Sequence, residues 1–230
     1  MGKKNKLKKF EDLHTFPNVF ENFDPKAPAL YKFKDQIIDL KGHWAQSHFS
    51  NTNPVILELA CGRGEYTVAL AKACPHLNFI GVDIKGARIW QGAQEAIENQ
   101  LSNAAFLRTR IEQAEYFFAK DEISEIWITF PDPFLRESKE NKRLTSVRFL
   151  ERYKKFLRPS GIIHLKTDDP TLYQFTLDTI EAFEGATTLY FNDDIYAGEL
   201  DFPELEYKTH YEKEHLDDGR KIKYIRFRIH

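Results

Sequence analysis

Short apolar, β-branched runs recur along the chain with helical patterns between them, and this rhythm constrains the fold more than any other feature. The runs are Val55–Leu59, Phe79–Val82, Ala105–Leu107, Ile126–Phe130, Ile162–Leu165, Thr187–Phe191 and Tyr224–Ile229. Helices are expected over Tyr66–Ala73, Ala87–Asn99, Ile111–Phe118, Ser146–Leu157 and Thr171–Phe183. Pro75, Pro159-Ser160-Gly161 and Pro170 mark stops or starts. Strands joined by helices lie parallel, because a parallel pair needs a long crossover, and the helices then cover both faces of the sheet. No clear helical pattern separates the last two runs, so the sheet is expected to end antiparallel. Before Asn51 the sequence predicts an extension with a helix around Ala29–Trp44, giving residues 1–50 as a basic arm and helical extension and 51–230 as the α/β domain.

At 230 residues, 42% of them hydrophobic, the chain can bury a sizeable core. No apolar stretch approaches the roughly 18 residues of a membrane span. The lysine-rich start lacks the apolar run of a signal peptide. Cys61 and Cys74 form neither a metal nor a redox motif, so a cytoplasmic, reduced protein without a membrane partner is expected. The net charge of −2 hides three basic segments. Lys3, Lys4, Lys6, Lys8 and Lys9 open the chain, Arg136 to Arg158 holds nine bases against three acids, and Arg220, Lys221, Lys223, Arg226 and Arg228 lie near the end. Each alone reads as a solvated surface; together they would make a phosphate-binding face.

In an open α/β sheet, ligands bind beyond the carboxyl ends of the strands. The first run ends in Glu58 and enters Ala60-Cys61-Gly62-Arg63-Gly64, with a helix following at once. Gly62 and Gly64 allow a tight turn and a close ligand approach. Asp83 closes the second run, where a carboxylate would meet ribose hydroxyls. A dinucleotide site would have a third glycine where Thr67 stands, and Glu58 would repel a pyrophosphate. The pattern instead suits a nucleoside carrying an ammonium and a sulfonium, which describes S-adenosyl-L-methionine.

The fourth run delivers Pro131-Asp132-Pro133-Phe134 to the same edge. Two prolines fix the backbone around Asp132, and the aromatic could stack on a base. The fifth run ends in Thr167-Asp168-Asp169-Pro170. Asp169 suits a helix cap, because Pro170 fits the first helical position, and Asp168 is left for substrate. The eight histidines match no common metal-ligand spacing, so no metal is expected, and His164 reads as structural.

Taken together, these motifs give the chain a family resemblance. Phe130-Pro-Asp-Pro-Phe134 followed by Lys142-Arg143-Leu144 resembles the signature of the bacterial tRNA (guanine(46)-N7)-methyltransferases. Thr167-Asp168, Thr209-His210-Tyr211-Glu212, the Glu58–Gly64 turn and the strand ending in Asp83 are similar to theirs in the same order. The resemblance implies a class I methyltransferase fold, Rossmann-like, with a seven-stranded, mostly parallel sheet and an antiparallel last strand. It implies a methyl donor held by Glu58, Gly62, Gly64, Asp83, Arg110, Ile111 and Asp132. It further implies a tRNA substrate met by Arg136, Asp168, Thr209, His210, Tyr211 and Glu212, with Asp132 catalytic. Several positions depart from the family pattern: Ala60, Asp83, Phe134 and Arg136 replace its usual residues. The acid expected after the third strand is absent, which leaves the Arg110–Ile111 backbone or Glu112 in its place. The alternatives are another nucleic-acid methyltransferase, a nicotinamide dehydrogenase and an inactive RNA-binding protein of the same fold. The order Pro-Asp-Pro-Phe, not Asp-Pro-Pro-Phe, counts against an amino-group methyltransferase. Monomer and homodimer both fit the sequence.

Overall fold

The computed structural model describes residues 3–230 and, for side chains, residues 7–230. Lys3, Lys4 and Lys6 of the expected basic arm therefore lie outside the described side chains. Helix α1 (Lys3–Leu13) leads into three short strands, β1 (Val19–Glu21), β2 (Leu30–Lys32) and β3 (Gln36–Ile38). Then follow β4 (Val55–Leu59), α2 (Glu65–Ala73), β5 (Asn78–Asp83), α3 (Gly86–Glu98), β6 (Ala104–Arg108) and β7 (Ile123–Thr129). The chain ends with α4 (Val147–Tyr153), β8 (Leu157–Thr167), α5 (Pro170–Ala182), β9 (Ala186–Asn192), α6 (His210–Asp217) and β10 (Lys223–Ile229).

Ten strands form one sheet in the order β3-β2-β1-β6-β5-β4-β7-β8-β10-β9. The run from β6 to β8 is parallel, and β10 is antiparallel to both β8 and β9. This is the expected doubly wound sheet with an antiparallel end, widened from seven strands to ten. β4 to β6 proceeds to one side and β7 to β8 to the other, so the strand order reverses between β4 and β7, where such sheets bind ligands.

All five residues of β4 are buried, as a central strand covered on both faces must be. Leu57, Leu59, Ile128 and Leu165 face one core with Phe149, Leu172 and Ile180, while Ile56 and Trp127 face the other with Tyr66, Val68 and Ile89. The Pro159-Ser160-Gly161 break lies inside β8 as a bulge against β7, with Ser160 at φ 62°.

The expected helix around Ala29–Trp44 is corrected to the β2–β3 hairpin followed by one turn at Trp44–His48. Val19 and Phe20 are buried and pair parallel with Phe106 and Leu107, so β1 extends the sheet and the hairpin follows it. The Phe33-Lys34 turn is left-handed at both residues (φ 51° and 76°) without the glycine or asparagine that announces such a turn. The helix expected over Ile111–Phe118 is a 3-10 segment, Ile111–Tyr116.

Helix α3 packs close against the turn that follows β4. A Cβ on Gly92 of α3 would lie 2.5 Å from the Arg63 carbonyl oxygen and 3.0 Å from Gly64 Cα. Gly92→Ala is therefore expected to displace the Arg63–Gly64 turn and cost about 1–3 kcal/mol. Urea unfolding measures this, and an unchanged midpoint would contradict the close approach.

Candidate active site

The turn after β4 is left-handed at Ala60, Gly62 and Gly64 (φ 59°, 56° and 72°). Two carboxylates hold it. Asp83 Oδ2 accepts from Gly62 N–H at 3.0 Å, and Asp83 Oδ1 accepts from Lys85 N–H at 2.8 Å. Each oxygen keeps a lone pair for a further donor, such as a hydroxyl. Glu58 is 4% exposed. Its Oε2 accepts from both the N–H and the hydroxyl of Thr67, and its Oε1 accepts from the Thr129 hydroxyl at 2.7 Å. Glu58 therefore ties the turn, the first coil of α2 and the end of β7 together, whereas the sequence suggested a carboxylate facing a ligand. Burial pushes its carboxyl up to about 7, against the opposing effect of these three hydrogen bonds. Among the described residues no cation pairs with Glu58, so a cationic ligand beside this turn would complement it.

Arg110 is exposed and Ile111 half-buried at the start of the 3-10 segment after β6. Thr109 N–H donates to the Asp83 carbonyl, which brings this segment alongside the Asp83 turn. Asn22, from beyond β1, donates to Thr109 Oγ1 and Gln113 Oε1, bracing it from behind.

Asp132 is exposed at the next strand end, and its Oδ1 accepts from Phe134 N–H at 3.2 Å. The turn is left-handed on both sides of it, at Phe130 (φ 49°) and Phe134 (φ 41°), which non-glycine residues adopt only when held there. Arg143 does the holding. It is 2% exposed, donates from Nε to the Pro133 carbonyl at 3.0 Å and from Nη2 to the Phe134 carbonyl at 3.2 Å, and lies over the Phe175 ring. Arg136, exposed, starts the following 3-10 segment, Glu137–Lys142.

The turn after β8 is registered with that one. Thr129 pairs with Lys166 and Phe130 N–H donates to the Lys166 carbonyl, so Asp132 and Asp168 follow neighbouring strand ends at similar offsets. Asp169 caps α5 through Leu172 N–H with Pro170 next in line, as the sequence implied. Asp168 is not free in this structure: its Oδ2 accepts from Arg220 Nη1 at 2.8 Å, and His215 Nε2 lies 3.6 Å from Oδ1. His215 in turn faces the Phe130 ring.

Thr209 caps α6 by accepting from Glu212 N–H. His210 N–H donates to Glu65 Oε2 at 2.7 Å, linking α6 to the first turn of α2. Tyr211 is half-buried, with the Arg88 guanidinium 5.7 Å from its ring centre. Glu212, expected against substrate, is fully buried here and paired with Lys166 at 2.7 Å.

Sequence reasoning missed Thr67, Thr129, Arg143 and Lys166 as supporting residues. Arg143 stood in the Lys142-Arg143-Leu144 motif and Thr67 at the place of a third glycine, but neither was read as a support; Lys166 carried a further signal, a lone ammonium ending an apolar run. His164 is structural, as expected: it stacks on Trp127 at 3.8 Å and its Nδ1 lies 2.6 Å from the Tyr224 hydroxyl. Among the described residues no cluster of potential metal ligands occurs, and no helix is long and apolar enough to cross a membrane.

This sheet order, with a glycine turn and two carboxylates at the reversal point, is that of a methyltransferase. Residues 52–225 match the model of a family described as putative methyltransferases. The 16S rRNA methyltransferase KamB shares the fold, with a TM-score of 0.61 over 85% of this chain and 96% of that one at 13% identity. The tRNA (guanine-N(7)-)-methyltransferase of Christiangramia forsetii is 47% identical over the whole of both chains. That of Bacteroides thetaiotaomicron is 49% identical over all of this chain and 87% of its own length. The chain belongs to the tRNA (guanine-N7)-methyltransferase family.

Because Glu58 titrates higher in the folded protein than its ordinary value of 4.5, the folded state binds its proton more tightly than the unfolded one. The associated stability is fully present below about 4.5 and is lost as pH rises through about 7, roughly 3 kcal/mol in all. Glu58→Gln is expected to flatten this part of the pH dependence. Calorimetric melting from pH 5 to 8.5 tests it, and equal slopes in both proteins would show that Glu58 is ionised throughout.

Proposed function

We propose that the protein transfers a methyl group from S-adenosyl-L-methionine to N7 of guanine at position 46, in the variable loop of tRNA, forming 7-methylguanosine. The registered pair of turns after β7 and β8 supports this reading: Asp132 follows the strand paired with β4, whose end enters the Glu58–Gly64 turn, and Asp168 follows the next strand along. Full-length similarity to relatives named for guanine N7 supports it.

The donor residues fit such a cofactor. Asp83 retains acceptor capacity and would hold ribose hydroxyls, the Arg110–Ile111 backbone would hold the base, and the Gly62–Gly64 turn would admit close approach. Glu58, without a counter-cation among the described residues, favours a cationic ligand while bracing the turn. Bound S-adenosylmethionine would supply a methyl group activated by its sulfonium.

Guanine N7 has a lone pair and no proton, so this chain needs no general base; its contribution is positioning. Methylation at N7 leaves the guanine cationic, and the Asp132 carboxylate stabilises that growing charge. Asp168 accepts from the guanine N1–H and N2–H₂ edge, and Arg136, Thr209, His210 and Tyr211 form the rim. The exposed bases Lys142, Arg220 and Lys221 and the half-buried Lys139 flank the two turns and meet RNA phosphates, an attraction that weakens as salt rises.

Asp132→Ala is expected to lower turnover of unmodified tRNA at least 100-fold while keeping the melting temperature within a few degrees, since Asp132 is exposed. Single-turnover transfer of labelled methyl measures this. A variant with normal rate would remove Asp132 from the chemistry.

A further inference from the structure

The buried ammonium of Lys166 has no part in the reading above. It lies at the carboxyl end of β8, between Thr129 of β7 and Tyr224 of β10 in register. Its side chain and that of Glu212 are both 0% exposed, with Nζ 2.7 Å from Glu212 Oε1. Nζ also donates to the Leu205 and Tyr207 carbonyls, at 3.2 and 3.1 Å. An ammonium has three protons, so all of them go to one stretch of chain, residues 205–212. Burial lowers the Lys166 amine below the ordinary lysine range, and Glu212 works against that shift.

That stretch ends in the Thr209–Glu212 segment, which contacts the first turn of α2. The Tyr196 hydroxyl donates to the same Glu212 oxygen at 2.7 Å, Thr209 caps α6, and His210 N–H reaches Glu65 beside the donor turn. Glu212 Oε2 has no partner, so Lys166 is the main compensation for a carboxylate out of water. A buried pair adds little net stability over well-packed apolar residues, whereas removing one member alone is costly. Its directional value is different: three fixed donors specify where the segment sits.

We propose that Lys166 is a positioning residue for the acceptor side of the site, holding Thr209, His210 and Tyr211 at the rim through Glu212 and the Leu205 and Tyr207 carbonyls. This rests on tRNA being the methyl acceptor. The Gly62–Gly64 turn is held directly by Glu58 and Asp83, and Lys166 approaches that side only through the Tyr66 ring, 5.4 Å from Nζ, and the His210–Glu65 contact.

The test compares Lys166→Met with the double variant Lys166→Met/Glu212→Leu. The single variant, left with an uncompensated buried carboxylate, should melt several degrees lower. The double variant should recover most of that loss. Both should show a KM for tRNA raised about tenfold or more, with the Kd for S-adenosylmethionine within about twofold of the parent. Hydrogen exchange should speed up over residues 205–212 in both and stay unchanged at the donor turn. Recovery of the tRNA KM together with the melting temperature in the double variant would overturn the inference, as would unchanged exchange over 205–212. If the parent protein methylates no tRNA, the activity reading fails separately, and the exchange measurement still decides the role of Lys166.

Discussion

The buried Glu58 carboxylate is the interaction on which the site depends. Through Thr67 it fixes the start of α2, through Thr129 it fixes the end of β7, and the glycine turn is stretched between them. Asp83 completes the frame from β5 by holding Gly62 N–H. A carboxylate at this depth is costly to ionise, and its upward shift records that cost. The Gly62–Gly64 turn is thus built around a latent negative charge, which suits a ligand that arrives with positive charge of its own.

The turns after β7 and β8 are assembled by different means. Asp132 and Asp168 stand on turns whose strands are hydrogen-bonded neighbours, so their spacing is set by sheet register. Arg143 holds the first turn from below by its two carbonyls. Arg220 and His215 meet Asp168 in the second and hold its carboxylate in place. Fixed groups of this kind need little reorganisation during reaction, the main requirement when the nucleophile needs no deprotonation.

The central sheet was legible because strands buried on both faces, such as Val55–Leu59, read as continuous apolar runs. Gly62, Gly64 and the Pro131–Phe134 turn were legible because backbone demands restrict residue type there, and Asp83 because a lone carboxylate closes an apolar run. The first three strands were not, since they are three residues long and the Phe33-Lys34 turn lacks turn-forming residues. Helix α6 is eight residues with little apolar periodicity; Thr209 followed by Glu212 was the capping signal that could have announced it. Burial was the least legible property. Glu58 and Glu212 look like ligand contacts in sequence, and only their partners, Thr67, Thr129 and Lys166, turn them inward.

The central claim is that this edge of the sheet delivers a methyl group to guanine N7 in tRNA. The most direct measurement is nucleoside analysis of unmodified tRNA after incubation with the protein and methyl-labelled S-adenosylmethionine, followed by mapping of the labelled base. The account predicts label in 7-methylguanosine at a single variable-loop position. Label on an exocyclic amino group, on another base, or on no tRNA at all would contradict it.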